Sequence, residues 1–396
     1  MEAPRPENSR HMAFDALCGL AVLGLVCTSA LAYALPQQAY YNPAIWGDNQ
    51  TVDRAAWLAG FVFVEDKFRF LFAMLFGAAC LALWEKADRS WRGHYVGMAV
   101  LLVLGLLHAV LLTQADILRG LALAGLAVPI LAPLNHRALY AITIGLIAVY
   151  VGAGIVMFGS SVLDYYAARE GTDAALFVER SFGRDAPAMN HALELGCEQF
   201  GESVARRLAD IPSQLWVTMG SVPGNLAAIA LGMALWKNRM LAREWRLFRM
   251  QRLAAISAAI ALPVLFGLAS WVSEEGFPAA LVGAVSLVLS TPFDLLLALA
   301  YAALAMAFFG GRGWLVRALA AVGKLPITNY LASSLVLAAI FASWGLGWFA
   351  QTGRAEAFAI SALPIAALLI WSPVWVRYFR TGPVELLLRA MVRLLT

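Results

Sequence analysis

A histidine inside an apolar run, Leu104-Gly105-Leu106-Leu107-His108-Ala109-Val110, is the residue of this chain best suited to chemistry. Imidazole takes a proton from a hydroxyl and returns it to a leaving group near neutral pH, the work of a general base and acid. The plainer account is a histidine hydrogen-bonded to a neighbouring helix. Asp116 follows eight residues on, about 12 Å away along a straight helix, so direct orientation of His108 by Asp116 is not expected. Upstream, Glu65, Asp66, Lys67 and Arg69 crowd together. Lys67, Arg69 and Asp116 are expected to form a cluster that positions an acceptor or stabilises developing negative charge. The simpler alternative is an ion pair between Glu65 and Arg69, four residues apart.

Other ionisable or polar residues fall inside or at the ends of apolar runs. His11 and Asp15 are four apart and either cap a helix or contact a donor molecule. Asp294 follows Ser290-Thr291-Pro292-Phe293, a pattern in which a helix restarts after a hydroxyl cap. Ser221-Val-Pro223-Gly224-Asn225 suggests a second break, and paired broken spans point to a transporter site as readily as to simple kinks. Thr328, Asn329 and Tyr330 open a run just after Pro326, where they either cap the helix or help hold a donor.

The elements that carry these residues follow from composition. Of 396 residues 61% are hydrophobic and 14% charged, and runs of roughly 20 apolar residues cross a bilayer as helices because lipid offers backbone groups no partners. Spans are expected near 13–35, 56–84, 96–115, 117–133, 137–159, 213–236, 253–273, 279–309, 326–350 and 356–378. The fold class is therefore all-α, a polytopic membrane protein of about ten transmembrane helices, divided into an N-terminal bundle 1–159, an outer segment 160–212 and a C-terminal bundle 213–396. Asp15 within the first span, and the lack of a cleavage pattern, mark that span as retained.

Lys237, Arg239, Arg243, Arg246, Arg249 and Arg252 face one acid, Glu244, which places their segment on the cytoplasmic side. Ten crossings then put both termini there too, with Arg137, Arg312, Lys324 and Arg377. The net charge of +4 is a topology signal and points to no nucleic-acid partner. Leu193, Phe200 and Val204 suggest one interfacial helix over 188–208, and the tail after Gly382-Pro383-Val-Glu385 suggests another on the inner leaflet. The four cysteines give no disulfide framework. No Cys-x-x-Cys or His-x-x-x-His pair supports a metal site, and no phosphate loop supports a tightly bound cofactor.

Several strings resemble one known family. They are Arg10 with Asp15 and Gly19-Leu-Ala-Val-Leu-Gly24; Lys67-Phe-Arg69 through Gly77; Gly105-Leu-Leu-His108 with Asp116-Ile-Leu118; Gly232-Met-Ala; Gly323-Lys-Leu-Pro-Ile-Thr328-Asn329-Tyr330-Leu331; and Phe379-Arg380-Thr-Gly382-Pro383-Val-Glu385. In this order, over nearly the whole chain, they resemble the bacterial inner-membrane family called domain of unknown function 418. That family looks related to multi-span acyltransferases that move an acyl group from cytoplasmic acyl-coenzyme A to a sugar or other hydroxyl. Against the family pattern, Cys18 stands where an arginine is usual, Leu121 where a tyrosine is, and Ser333 where a glutamine is.

The resemblance implies acyl transfer to a sugar or lipid acceptor at the outer face of a bacterial inner membrane, with acyl-coenzyme A as co-substrate. His108 and Asp116 would be the catalytic residues, and Lys67, Arg69, Asn329, Asp294 and Asp15 would bind substrate. Two rival readings are a transporter of a small or lipid-like solute, motivated by Asp294 and the broken runs, and a non-catalytic subunit that binds lipid or a partner.

Overall fold

The computed structural model describes residues 6–47, 50–86, 89–311 and 313–396; the side chains of Arg10, His11 and Arg312 lie outside the described residues. Among the described residues all regular structure is helical. The helices are α1 (Pro6–Ala34), α2 (Gln37–Tyr41), α3 (Gln50–Phe63), α4 (Lys67–Lys86), α5 (Trp91–Leu111), α6 (Leu118–Gly125), α7 (Val128–Leu131), α8 (His136–Tyr166), α9 (Asp173–Phe182), α10 (Ala186–Cys197), α11 (Phe200–Ala209) and α12 (Ile211–Lys237). They continue with α13 (Leu247–Glu274), α14 (Ala279–Ala284), a π-helical turn Val285–Leu289, α15 (Thr291–Phe308), α16 (Trp314–Gly323), α17 (Pro326–Phe341), α18 (Arg354–Tyr378) and α19 (Pro383–Leu395).

Eight described segments are long and apolar enough to cross a membrane, and α16 with α17, bent by 90°, makes a ninth. The chain is an all-α, polytopic membrane protein. The expected span 117–133 is instead the two short helices α6 and α7. Their 12 residues rise about 18 Å, less than the roughly 30 Å hydrocarbon core.

Helices from both sides of the outer segment interleave. α1 packs on α16, α17 and α18, and α4 packs on α12. Small residues permit the closest crossings: a Cβ on Gly77 would collide with the Ile229 backbone, and one on Gly232 with the Met74 backbone. The main core runs along α1, α4, α12, α15 and α17, and a second core joins α3, α9, α13 and α14.

Several expected details change. The run 56–84 breaks at 64–66, where Asp66 has φ +58°. The 279–309 run breaks at Ser290 as the sequence suggests, but Ser290 makes no side-chain cap; its hydroxyl donates to Ser286 O at 3.4 Å. Pro223 does not interrupt α12, which runs through it, because neighbouring helices hold the segment. The ninth run ends at Phe341, and the chain then folds back so that Phe349 N donates to Phe341 O and Ala350 N to Ala34 O. The single helix expected over 188–208 is split between α10 and α11.

Hydrogen bonds tie the connections together in two groups. At the basic end Lys237 donates to Ala132 O and Leu134 O, Arg243 to Met306 O, and Arg92 to Leu395 O. At the opposite end Asn42 donates to Phe182 O and Phe277 O, Tyr165 to Glu275, and Arg207 to Leu112 O.

At that second end Glu198 accepts from Arg206 Nε at 2.8 and 3.0 Å. The bond holds the Glu198 carboxyl below its ordinary value of 4.5, outweighing partial burial. A depressed folded pKa makes the contact fully stabilising above the unfolded value and removes it as pH falls through the folded one. Hydrogen-exchange protection over 198–206 is therefore expected to drop as pH falls below the ordinary carboxyl value of 4.5, and Arg206→Gln to flatten that dependence. Wild-type protection that stays constant over the range would contradict the assignment.

Candidate functional site

α5 ends at Leu111, one turn past His108, and the chain doubles back through 112–117. This reversal brings Asp116 to His108: the His108 Nδ1 to Asp116 Oδ1 distance is 2.9 Å, and both side chains are at most 1% exposed. The expectation that the two cannot meet is corrected here, because it measured their separation along a helix that stops between them. Gly105, one turn before His108, makes room, since a Cβ there would sit 2.8 Å from Asp116 Oδ2.

A carboxylate accepts only, so Nδ1 of His108 carries the proton that Asp116 receives. The other carboxylate oxygen accepts Arg119 N at 2.9 Å. The Arg119 guanidinium donates to Gln214 Oε1 at 2.9 Å and Gln114 O at 2.6 Å. Across from the dyad, the Tyr330 ring lies 5.1 Å from the imidazole, and its hydroxyl accepts Ile117 N at 3.4 Å. Tyr330 thus belongs to this site, because Ile117 at the end of the turn meets α17. Among the described residues His108 Nε2 and the Tyr33 hydroxyl are buried without a hydrogen-bond partner.

Lys67 and Arg69 belong to a different centre. Among the described residues Asp116 bonds neither of them. Lys67 Nζ lies 2.6 Å from Asp294 Oδ1, with both side chains nearly inaccessible, and Lys67 also donates to Phe61 O. Arg69 pairs with Asp66 at 2.6 Å and donates to Asn225 Oδ1 at 2.8 Å. The Glu65–Arg69 pair does not form. The break at 64–66 turns Glu65 away, and it takes Arg354 at 3.1 Å.

Asn329 is fully occupied, donating to Val322 O and Ser372 Oγ and accepting from Trp371 Nε1. Glu385 caps α17 by accepting the amides of Ile327 and Thr328 and the Thr328 hydroxyl. Asp15 lines a separate cavity at the basic end. Sequence reasoning missed Arg119, Gln214, Tyr33 and Arg354. Only Arg119 carried a signal, as a charge three residues past Asp116 in an otherwise apolar run.

Fold and site together define a polytopic helical membrane protein with a buried histidine–aspartate pair. Residues 235–394 match the model of the family described as protein of unknown function, DUF418. The chain is 28% identical to the uncharacterized protein YeiB of Escherichia coli over 390 residues, 96% of each chain. It is 24% identical to the uncharacterized protein YxaH of Bacillus subtilis over 412 residues, 98% of this chain and 95% of that one. No solved structure matches. The C-terminal part of the chain is thus similar to the DUF418 family, and the similarity to the two relatives extends over nearly the whole chain.

The Lys67–Asp294 pair tests the packing around the site. Asp294→Asn leaves a buried ammonium without its counter-charge and is expected to cost about 3–5 kcal/mol, whereas Lys67→Met with Asp294→Leu recovers most of it. Thermal melts in detergent check this. Equal melting of Asp294→Asn and wild type would show that the pair carries no stability.

Proposed function

We propose that this protein is a membrane acyltransferase of a bacterial inner membrane, with both termini cytoplasmic, that moves an acyl group from cytoplasmic acyl-coenzyme A to a hydroxyl acceptor, a sugar or lipid, at the outer face. The observation that carries the reading is His108: one nitrogen held by a buried carboxylate, the other buried and without a partner among the described residues. An acceptor for Nδ1–H fixes the neutral tautomer that leaves a lone pair on Nε2.

Nε2 takes the acceptor hydroxyl's proton as its oxygen attacks the thioester carbonyl. The C–S bond then breaks and the thiolate leaves with that proton. Asp116 positions the ring and stabilises the imidazolium formed on the way. The Tyr330 hydroxyl accepts from Ile117 and keeps its own proton to donate toward the developing oxyanion. Arg119 holds the turn through Gln114 and Gln214.

Lys67, Arg69 and Asp294 serve the bundle in this reading, since each is bonded within it. That pairing also weakens the transporter reading. Asp294 is held by Lys67, and Asn225 by Arg69 and Ser221, which leaves neither side chain to line a gated path.

Purified protein in nanodiscs is given radiolabelled acetyl-coenzyme A with a membrane lipid and glycolipid extract as acceptor pool. His108→Ala is expected to lower acyl transfer by about 10²–10⁴-fold, and Asp116→Asn to lower it through the wrong tautomer while the fold is kept. Transfer unchanged in His108→Ala would remove the histidine from the mechanism.

A further inference from the structure

We propose that a cavity at the basic end of the bundle, distinct from the His108 site, binds a phosphate-bearing ligand. Its volume is about 560 Å³, within the range of small-molecule sites. Arg317 and Lys324 from the α16 end, Arg377 from the last turn of α18, and Asp15 from α1 line it, over a floor of Ala320 and Ala321.

The arrangement is built by close packing. A Cβ on Gly19 would collide with Leu319 O, and one on Gly323 with Asp15 O, so α1 and α16 approach to backbone contact along this edge. Positions 317, 320, 321 and 324 recur at helical spacing and share one face of α16, which aims two cations into the same space. The small alanines between them leave the volume open. Arg377 closes the far wall.

Charge selects the ligand class. Three cations face one carboxylate, and none of the three makes an ion pair or side-chain hydrogen bond among the described residues. Their exposure to solvent keeps the site reachable. Two guanidinium forks and one ammonium suit phosphate oxygens, and an excess of two positive charges matches a phosphomonoester or diphosphate. Either a soluble phosphate compound or a lipid headgroup presents that chemistry. The inference does not rest on the role given to His108.

The full chain in phosphatidylcholine nanodiscs is titrated calorimetrically with sodium pyrophosphate. In parallel, native mass spectrometry counts phosphatidylglycerol retained after purification from mixed lipid. Saturable pyrophosphate binding, weakened roughly tenfold or more by Lys324→Glu with Arg377→Glu, kept by Lys324→Arg and untouched by the exposed control Arg246→Ala, supports a soluble ligand. Retained phosphatidylglycerol lost only in the double variant, without pyrophosphate binding, supports a headgroup. Binding of neither probe, binding unchanged in the double variant, or equal weakening in the Arg246→Ala control would overturn the proposal.

Discussion

An ionised carboxylate inside an apolar bundle persists only if donors surround it, and Asp116 meets that condition through His108 Nδ1 and the Arg119 amide. Those two bonds hold the 112–117 turn in place. Gly105, which leaves room for the carboxylate, and Tyr330, whose hydroxyl accepts Ile117 N, complete the setting of that turn. Without the carboxylate the turn would lose its link to α5, and His108 would have no fixed tautomer.

The charged groups inside the bundle divide into two kinds. Lys67 with Asp294 and Glu65 with Arg354 are closed pairs that join α4 to α15 and the 64–66 break to α18. Such pairs contribute little net stability against an apolar substitute but penalise any arrangement that separates them, so they fix which helices meet. His108 differs in kind, because its pairing stops at one nitrogen. The basic-end cavity differs again: its cations are solvated and lack partners among the described residues, which is the condition of a surface waiting for an anion.

Much of the architecture was legible in the sequence because length and apolarity suffice for it. The runs near 13–35, 137–159, 253–273 and 356–378 became α1, α8, α13 and α18 with ends shifted by a few residues. The free cysteines and the break before Asp294 were legible too. The site was legible only in part. His108 and Asp116 were singled out, but their contact was not, since along-chain distance predicts separation only while a helix continues. The partners of Lys67, Glu65 and Asn329 come from segments 227, 289 and 43 residues away, and no local pattern encodes such pairings. Pro223 misled because proline lowers helix propensity locally, whereas packing against α4, α6 and α8 decides the outcome.

The tautomer of His108 tests this account most directly. Nitrogen NMR of protein labelled with ¹⁵N-histidine in lipid, with the signal assigned by its loss in His108→Gln, reads each ring nitrogen separately. The account predicts a protonated Nδ1 coupled to a carboxylate and an unprotonated Nε2 at neutral pH. A proton on Nε2 with a bare Nδ1 would contradict it, because Asp116 would then face a nitrogen with nothing to donate.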